Sequence, residues 1–296
     1  SRFRSKFSSS FSDGTCDLNG STTITCDTSA DIAVGQSGEG SGIPYGAYVA
    51  TVNSAGSVTS FTINEAATTT AANQTLTFYQ GTGDGNTCIG FSAGEDLTTG
   101  NSNVLIGREA GRNFVTNANN VVIGAYAMDA ANAGENYNIA IGVNALTAET
   151  SGADYCVAVG HSALGAQNAN VKNTAVGGLA GDAITTSGSN TLVGYLAGSS
   201  LDTSANGDQN TAIGHAAMNA KKGTMNVAVG YAALDAAGTA NYNVAIGHSA
   251  GTEITDGPGN VLIGRNAGAA MTTGDYNVAI GYSSCSSMTG DSDSNV

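Results

Sequence analysis

The chain has 296 residues, 42 of them Gly and 2 Pro, with 41% hydrophobic and 11% charged residues and a formal net charge of −14. Nine Lys and Arg against 23 Asp and Glu argue against nucleic acid or an anionic membrane as partner, because like charges repel. No apolar run approaches the length of a membrane-spanning helix, and the periodic apolar residues exclude a disordered polyanion.

In chain order, residues 1–42 are rich in Ser, Thr, Gly and Asp and read as an N-terminal attachment segment. Arg2, Arg4 and Lys6 form a small basic cluster, either a solvated terminus or a dock onto a negative surface of a larger assembly. Cys16 and Cys26 flank Asp17–Thr25, where Asn19-Gly20 suits a hairpin turn, so a disulfide is possible if the protein matures outside a reducing compartment. Asp31-Ile32-Ala33-Val34-Gly35 is a partial echo of the repeat found further on, and reads as a possible first rung. Residues 43–80 read as a small β meander or cap, with strands expected at Tyr48–Val52, Val58–Ile63 and Thr75–Tyr79.

From residue 81 to 296 a short phrase, Asn243-Val244-Ala245-Ile246-Gly247 in one copy, recurs twelve times. Its glycine falls at Gly90, Gly107, Gly124, Gly142, Gly160, Gly177, Gly194, Gly214, Gly230, Gly247, Gly264 and Gly281, at spacings of 16 to 20 residues and most often 17. So short a period means stacked coils, and the chain is expected to be an all-β parallel β-solenoid with rungs of about 17 residues. Ile or Val always stands one residue before the glycine, and Val, Ile or Thr three before it, a pattern that favours an extended strand. Between them stands Ala in seven copies and Leu, Val or Cys in the rest, so both strand faces are apolar. One face can fill the coil; the other needs a second layer, from the same coil or from another chain.

The position three after the glycine is Ala in eleven copies, from Ala93 to Ala267, and Ser284 in the last. The next position is Gly in six copies and Leu or Met in five. Where it is Gly, a large side chain returns three residues later, as Leu97, Phe114, Ile184, Leu201, Ile254 or Met271; where it is not, that place holds Ala131, Glu149, Gln167, Lys221 or Ala237. One cavity per coil, filled from either of two backbone positions, explains the exchange. On this reading Phe114→Ala is costly and Gln167→Ala is nearly neutral. Asn stands four before the glycine in every copy but one, where it is Cys156, and a stack of Asn can bond from rung to rung. Cys88, Cys156 and Cys285 fall in different columns and read as small apolar fillers.

The phrase Asn210-Thr211-Ala212-Ile213-Gly214-His215-Ala216-Ala217-Met218 resembles the repeats of phage tail fibres and, less closely, the head repeats of trimeric autotransporter adhesins. The adhesin repeats are usually shorter and carry Ser where this chain has Ala93 or Ala110, which favours the phage fibre. The resemblance covers residues 86–296 and implies a left-handed β-roll, a homotrimer, and a fibre shaft in a virion that supports or performs host-surface adhesion. Other virion or fibre components would then meet the N-terminal segment, and a host surface glycan or protein would be the outer partner. The alternative is a bacterial surface or secreted adhesin. Asn295-Val296 repeats Asn277-Val278, so the array is expected to continue beyond the last residue.

The residue directly after the glycine supplies the one candidate contact column: Phe91, Arg108, His161, Tyr195, His215, Tyr231, His248, Arg265 and Tyr282. An exposed stripe of this kind could stack on sugar rings, or could simply be a strand end tolerant of amphipathic side chains. The three histidines are separated by intervening rungs and cannot share a metal ion. The loop acids Asp84, Glu135, Asp208 and Asp275 lack the regular spacing of calcium-binding rolls and read as solvated turn residues. No repeated carboxylate cluster occupies the strand columns, so no enzyme activity, cofactor or metal is expected.

Overall fold

The computed structural model describes the strands within residues 9–80, and from residue 85 onward all but 132–133, 151–153, 170–171, 202–207, 221–222, 237, 290–293 and 295–296. Two compact units result, with the division near residue 85.

The first is a six-stranded antiparallel sheet built from β1 (Ser9–Asn19), β2 (Thr23–Ser29), β3 (Ser37–Glu39), β4 (Val49–Val52), β5 (Val58–Ile63) and β6 (Thr70–Gln80). Its order is β3-β6-β1-β2-β5-β4. The strands expected at 48–52 and 58–63 are present, and the third is longer than expected. β1 runs along β6 from Ser9↔Gln80 to Asn19↔Thr70, so the two stretches distinguished in sequence, 1–42 and 43–80, share one sheet. In the β1–β2 hairpin Asp17 faces Thr25 and Leu18 faces Ile24. The side chains of Cys16 and Cys26, and the echo at Asp31–Gly35, lie outside the described residues.

The second unit is the solenoid. Its strands are β7 (Thr87–Ile89), β8 (Val104–Ile106), β9 (Val121–Ile123), β10 (Ile139–Ile141), β11 (Val157–Val159), β12 (Thr174–Val176), β13 (Thr191–Val193), β14 (Thr211–Ile213), β15 (Val227–Val229), β16 (Val244–Ile246), β17 (Val261–Ile263) and β18 (Val278–Ile280). They form one parallel sheet in strict chain order. Register is preserved throughout, for example Val227↔Val244, Ala228↔Ala245 and Val229↔Ile246, so each residue sits over its own repeat equivalent.

The two apolar faces now have different fates. The middle residue points inward: from Leu105 to Ala279 it is no more than 2% exposed in every strand. The flanking Thr, Val and Ile point outward and are half-buried or exposed. A coil of about 17 residues has room inside for Ala, and for Leu only where space is released elsewhere. Leu105, Leu192 and Leu262 all occur in repeats with Gly at the later position, at Gly111, Gly198 and Gly268. A Cβ placed on Gly198 would lie 2.6 Å from Leu192 Cδ2 and 2.8 Å from Leu201 Cδ1. A Cβ on Gly181 would lie 3.0 Å from Ile184 Cδ1, and one on Gly111 3.3 Å from the Phe114 ring. The vacated volume is therefore taken by the side chain three residues on, as the exchange pattern requires.

The turn out of each strand is made by the repeat glycine, with φ between +125° and +142°, a region closed to side-chain-bearing residues. The residue two further on is also left-handed, for example Ser249 at +53° and Leu196 at +57°. These two reversals swing the chain from the strand into the buried Ala corner.

Inside the coil the asparagines form a ladder. Except at Asn173, which follows Cys156, the backbone N–H of an Asn donates to the side-chain Oδ1 of the Asn one rung earlier, as in Asn243 to Asn226 and Asn260 to Asn243, both at 2.9 Å. The amide of Asn226 also donates to the Ala240 carbonyl at 3.0 Å. Because these groups are fully buried, losing one strands its partners without water. Asn226→Ala should cost about 2–4 kcal/mol, read from denaturant unfolding; a change below about 0.5 kcal/mol would show the ladder to be incidental.

Two expectations for loop residues are corrected. Glu135 is wholly buried and accepts a hydrogen bond from Asn117 Nδ2, and Asp208 accepts the Gly188 N–H at 2.6 Å, so neither is a solvated turn acid. The cause is the stacking itself, which leaves loop N–H groups that the next rung's side chain must satisfy; Asn136 N–H to Asp154 Oδ1 at 2.7 Å is the same device. Asp275 is half-buried, and Asp84 lies outside the described residues. Gln167, expected to be dispensable, is also fully buried.

Candidate surface-contact column

The residue after each repeat glycine leaves the strand at the turn, where its neighbours include the equivalents in the rungs above and below. Rungs about 4.8 Å apart bring flat side chains in this column close to stacking distance. Tyr195 and His215 lie with centroids 5.5 Å apart and tilted by 37°. His215 and Tyr231 stack at 5.1 Å and 11°, and Tyr231 and His248 at 4.9 Å and 20°. The Arg265 guanidinium lies 5.8 Å from the Tyr282 ring centre. At the other end Arg108 lies 5.9 Å from the Phe91 ring and 5.4 Å from that of Tyr126.

The column thus holds one stack from Tyr195 through His215 and Tyr231 to His248, and two pairs, Arg265 with Tyr282 and Phe91 with Arg108. His161 stands apart, because its column neighbours are Val143 and Gly178. Phe91, Tyr231 and Tyr282 are 70%, 51% and 72% exposed. The ring faces within the stack are covered by the neighbouring rings, so what the column offers is an edge of Tyr hydroxyls, His N–H groups and the Arg265 guanidinium. Sugar rings stacking on these faces would have to displace the stack. Arg108 is further tied by its Nε to Glu109 at 3.1 Å, which also accepts from Arg112 Nη1 at 2.6 Å.

Beneath the stack, burial pushes the Asp235 carboxyl above the usual carboxylate range, while a hydrogen bond from the Asn219 backbone and the nearby His215 pull it back. Among the described residues no three His, Cys, Asp or Glu side chains are grouped as metal ligands.

A second exposed column was not singled out from the sequence. It lies immediately before the ladder Asn and includes Tyr137, Tyr155, Tyr242 and Tyr276, each left-handed with φ between +55° and +61°. Tyr137 and Tyr155 stack at 5.0 Å with planes 3° apart. The signal was available as four tyrosines each preceding Asn or Cys of the phrase, but a non-glycine residue at positive φ is not legible from residue type.

No protein-family model, curated protein or solved structure matches the chain. No helix among the described residues is long and apolar enough to cross a membrane.

Proposed function

We propose that the chain is the shaft of a homotrimeric fibre carried on a phage particle, supporting or performing adhesion to the host surface. The observation that carries this reading is the outward face of the solenoid sheet. Both outward positions of every strand are Thr, Val or Ile, and no charged residue occurs in either column. Ile213 and Ile246 near the middle of the array are still 40% and 38% exposed. Single exposed apolar residues are ordinary, but two unbroken rows along twelve rungs form a contiguous patch of the kind that marks an interface.

A second and third copy, parallel and in register about a common axis, would let each rung's Val and Ile meet their own equivalents, the arrangement closed symmetry favours. The acidic loops would then stay at the periphery, where the repulsion of three chains of net charge −14 is weakest. The Tyr–His–Arg edge is the surface such a fibre would turn to a host glycan or protein.

Light scattering of the full chain should give the mass of three chains, and a monomeric or dimeric mass would overturn the assembly. Ile246→Asp, which places a carboxylate in the row without touching the core, should shift that mass towards the monomer. Mass spectrometry of purified phage particles, as against bacterial surface fractions, separates the fibre from a bacterial adhesin of the same build.

A further inference from the structure

The Asn ladder is interrupted at one rung, and there the core holds an unusual set of side chains. Cys156 replaces Asn immediately before β11, and Gln167 lies on the far side of the same coil; both are fully buried. Gln167 Nε2 donates to Cys156 Sγ at 3.1 Å, which brings the carboxamide group beside the sulfur. Gln167 Oε1 accepts from Asn173 Nδ2 at 2.9 Å, and the Asn173 backbone also bonds Cys156. Glu149, one rung earlier in the column of Gln167, is buried as well, and its charge acts on Cys156. The other repeats described have neither Cys in the ladder nor Gln in that core column.

As packing, Gln167 fills a gap in the ladder. As chemistry, the set comprises a nucleophile against a carboxamide, an N–H donor on the oxygen where charge would develop, and a carboxylate near the thiol. We propose that Cys156 and Gln167 join autocatalytically as an internal thioester, closing residues 156–167 into a covalent ring.

Cys156 Sγ adds to Gln167 Cδ while the thiol proton passes to the Glu149 carboxylate. The negative charge that forms on Oε1 is held by the Asn173 Nδ2 N–H. The Cδ–Nε2 bond then breaks, the nitrogen takes the proton back from Glu149, and ammonia leaves. Thiol and carboxamide become thioester and ammonia, with no change of oxidation state and no further reactant. Burial keeps the Cys156 thiol protonated at neutral pH, so a base is required; the charges of Glu149 and Asp154 both reach it, and Glu149 is the fully buried one of the two. The same burial excludes the water that would hydrolyse the product. The bond would brace this coil and hold an acyl group that an amine nucleophile reaches once the coil is unfolded.

The test is the intact mass of the full chain, followed by peptide mapping after unfolding. The expected result is a mass one ammonia below the sequence mass, the deficit falling on the peptide that holds Cys156 and Gln167, and a Cys156 that iodoacetamide does not alkylate. Treatment of the unfolded chain with methylamine should free that thiol and leave Gln167 as its methylamide. Cys156→Ser, close in size, should restore the full mass. A Cys156 that alkylates fully after unfolding in the absence of amine would overturn the proposal. That readout also excludes ammonia loss at Asn19-Gly20, which would leave Cys156 free to alkylate.

Discussion

Gly230→Ala should disrupt the centre of the solenoid, costing more than about 4 kcal/mol, the range reserved for backbone changes the fold cannot absorb. Gly230 has φ of +139°, and a Cβ there would overlap the carbonyl of Gly247 in the next rung, lying 2.6 Å from its carbon. That carbonyl cannot retreat, because the glycines of successive rungs stack backbone on backbone along the whole column, and Gly247 itself donates to the Val229 carbonyl at 2.8 Å. Gly178→Ala is the control: its φ is not in the left-handed region, and the nearest atom to an added Cβ is Tyr195 Cδ2 at 3.5 Å, ordinary contact. Circular dichroism during denaturant unfolding should show a large loss for the first variant and a change within about 0.5 kcal/mol for the second. Equal effects would mean that the stacked glycine backbones do not set the coil.

Phe114→Ala should cost about 3–5 kcal/mol, because the ring is fully buried in a closed coil. The stronger test is rescue. Gly111 is left-handed at φ +55°, as are Leu146 at +51° and Leu164 at +50°, so a Leu at 111 meets no new backbone demand. Adding Gly111→Leu to Phe114→Ala moves the filling side chain to the position it has in the Leu164 repeat, though beside Leu105 rather than an Ala, and should recover part of the loss, whereas Gly111→Leu alone should destabilise by overpacking. A double variant no better than Phe114→Ala would show that the two positions do not share a cavity. Gln167→Ala, expected from the columns to be neutral, should now cost about 1–3 kcal/mol, since it empties a buried site and removes a hydrogen bond from Asn173 Nδ2. Asn173 keeps its bond to the Ser187 carbonyl at 2.8 Å, which limits the loss.

The strands, their parallel order, the Asn ladder and the exchange between Gly111-type and Leu164-type repeats were all legible in the amino-acid order. The reason is physical: in an in-register parallel stack a residue's spatial neighbour is its repeat equivalent, so a column in the alignment is a column in space. What residue types alone left open was direction. Both strand faces are apolar, and only the left-handed turn after the strand decides that Ala245 goes in while Val244 and Ile246 go out. The same turns aim the Tyr195–His248 rings at one another and aim the tyrosines before the ladder Asn outward. In the first unit, β1 pairs with β6 across a long stretch of chain that carries no repeat, so no column announced it. Cys156, an exception in its column, and Gln167 and Glu149, ordinary members of theirs, belong to different columns or rungs; closure of the coil is what sets them in one buried cluster.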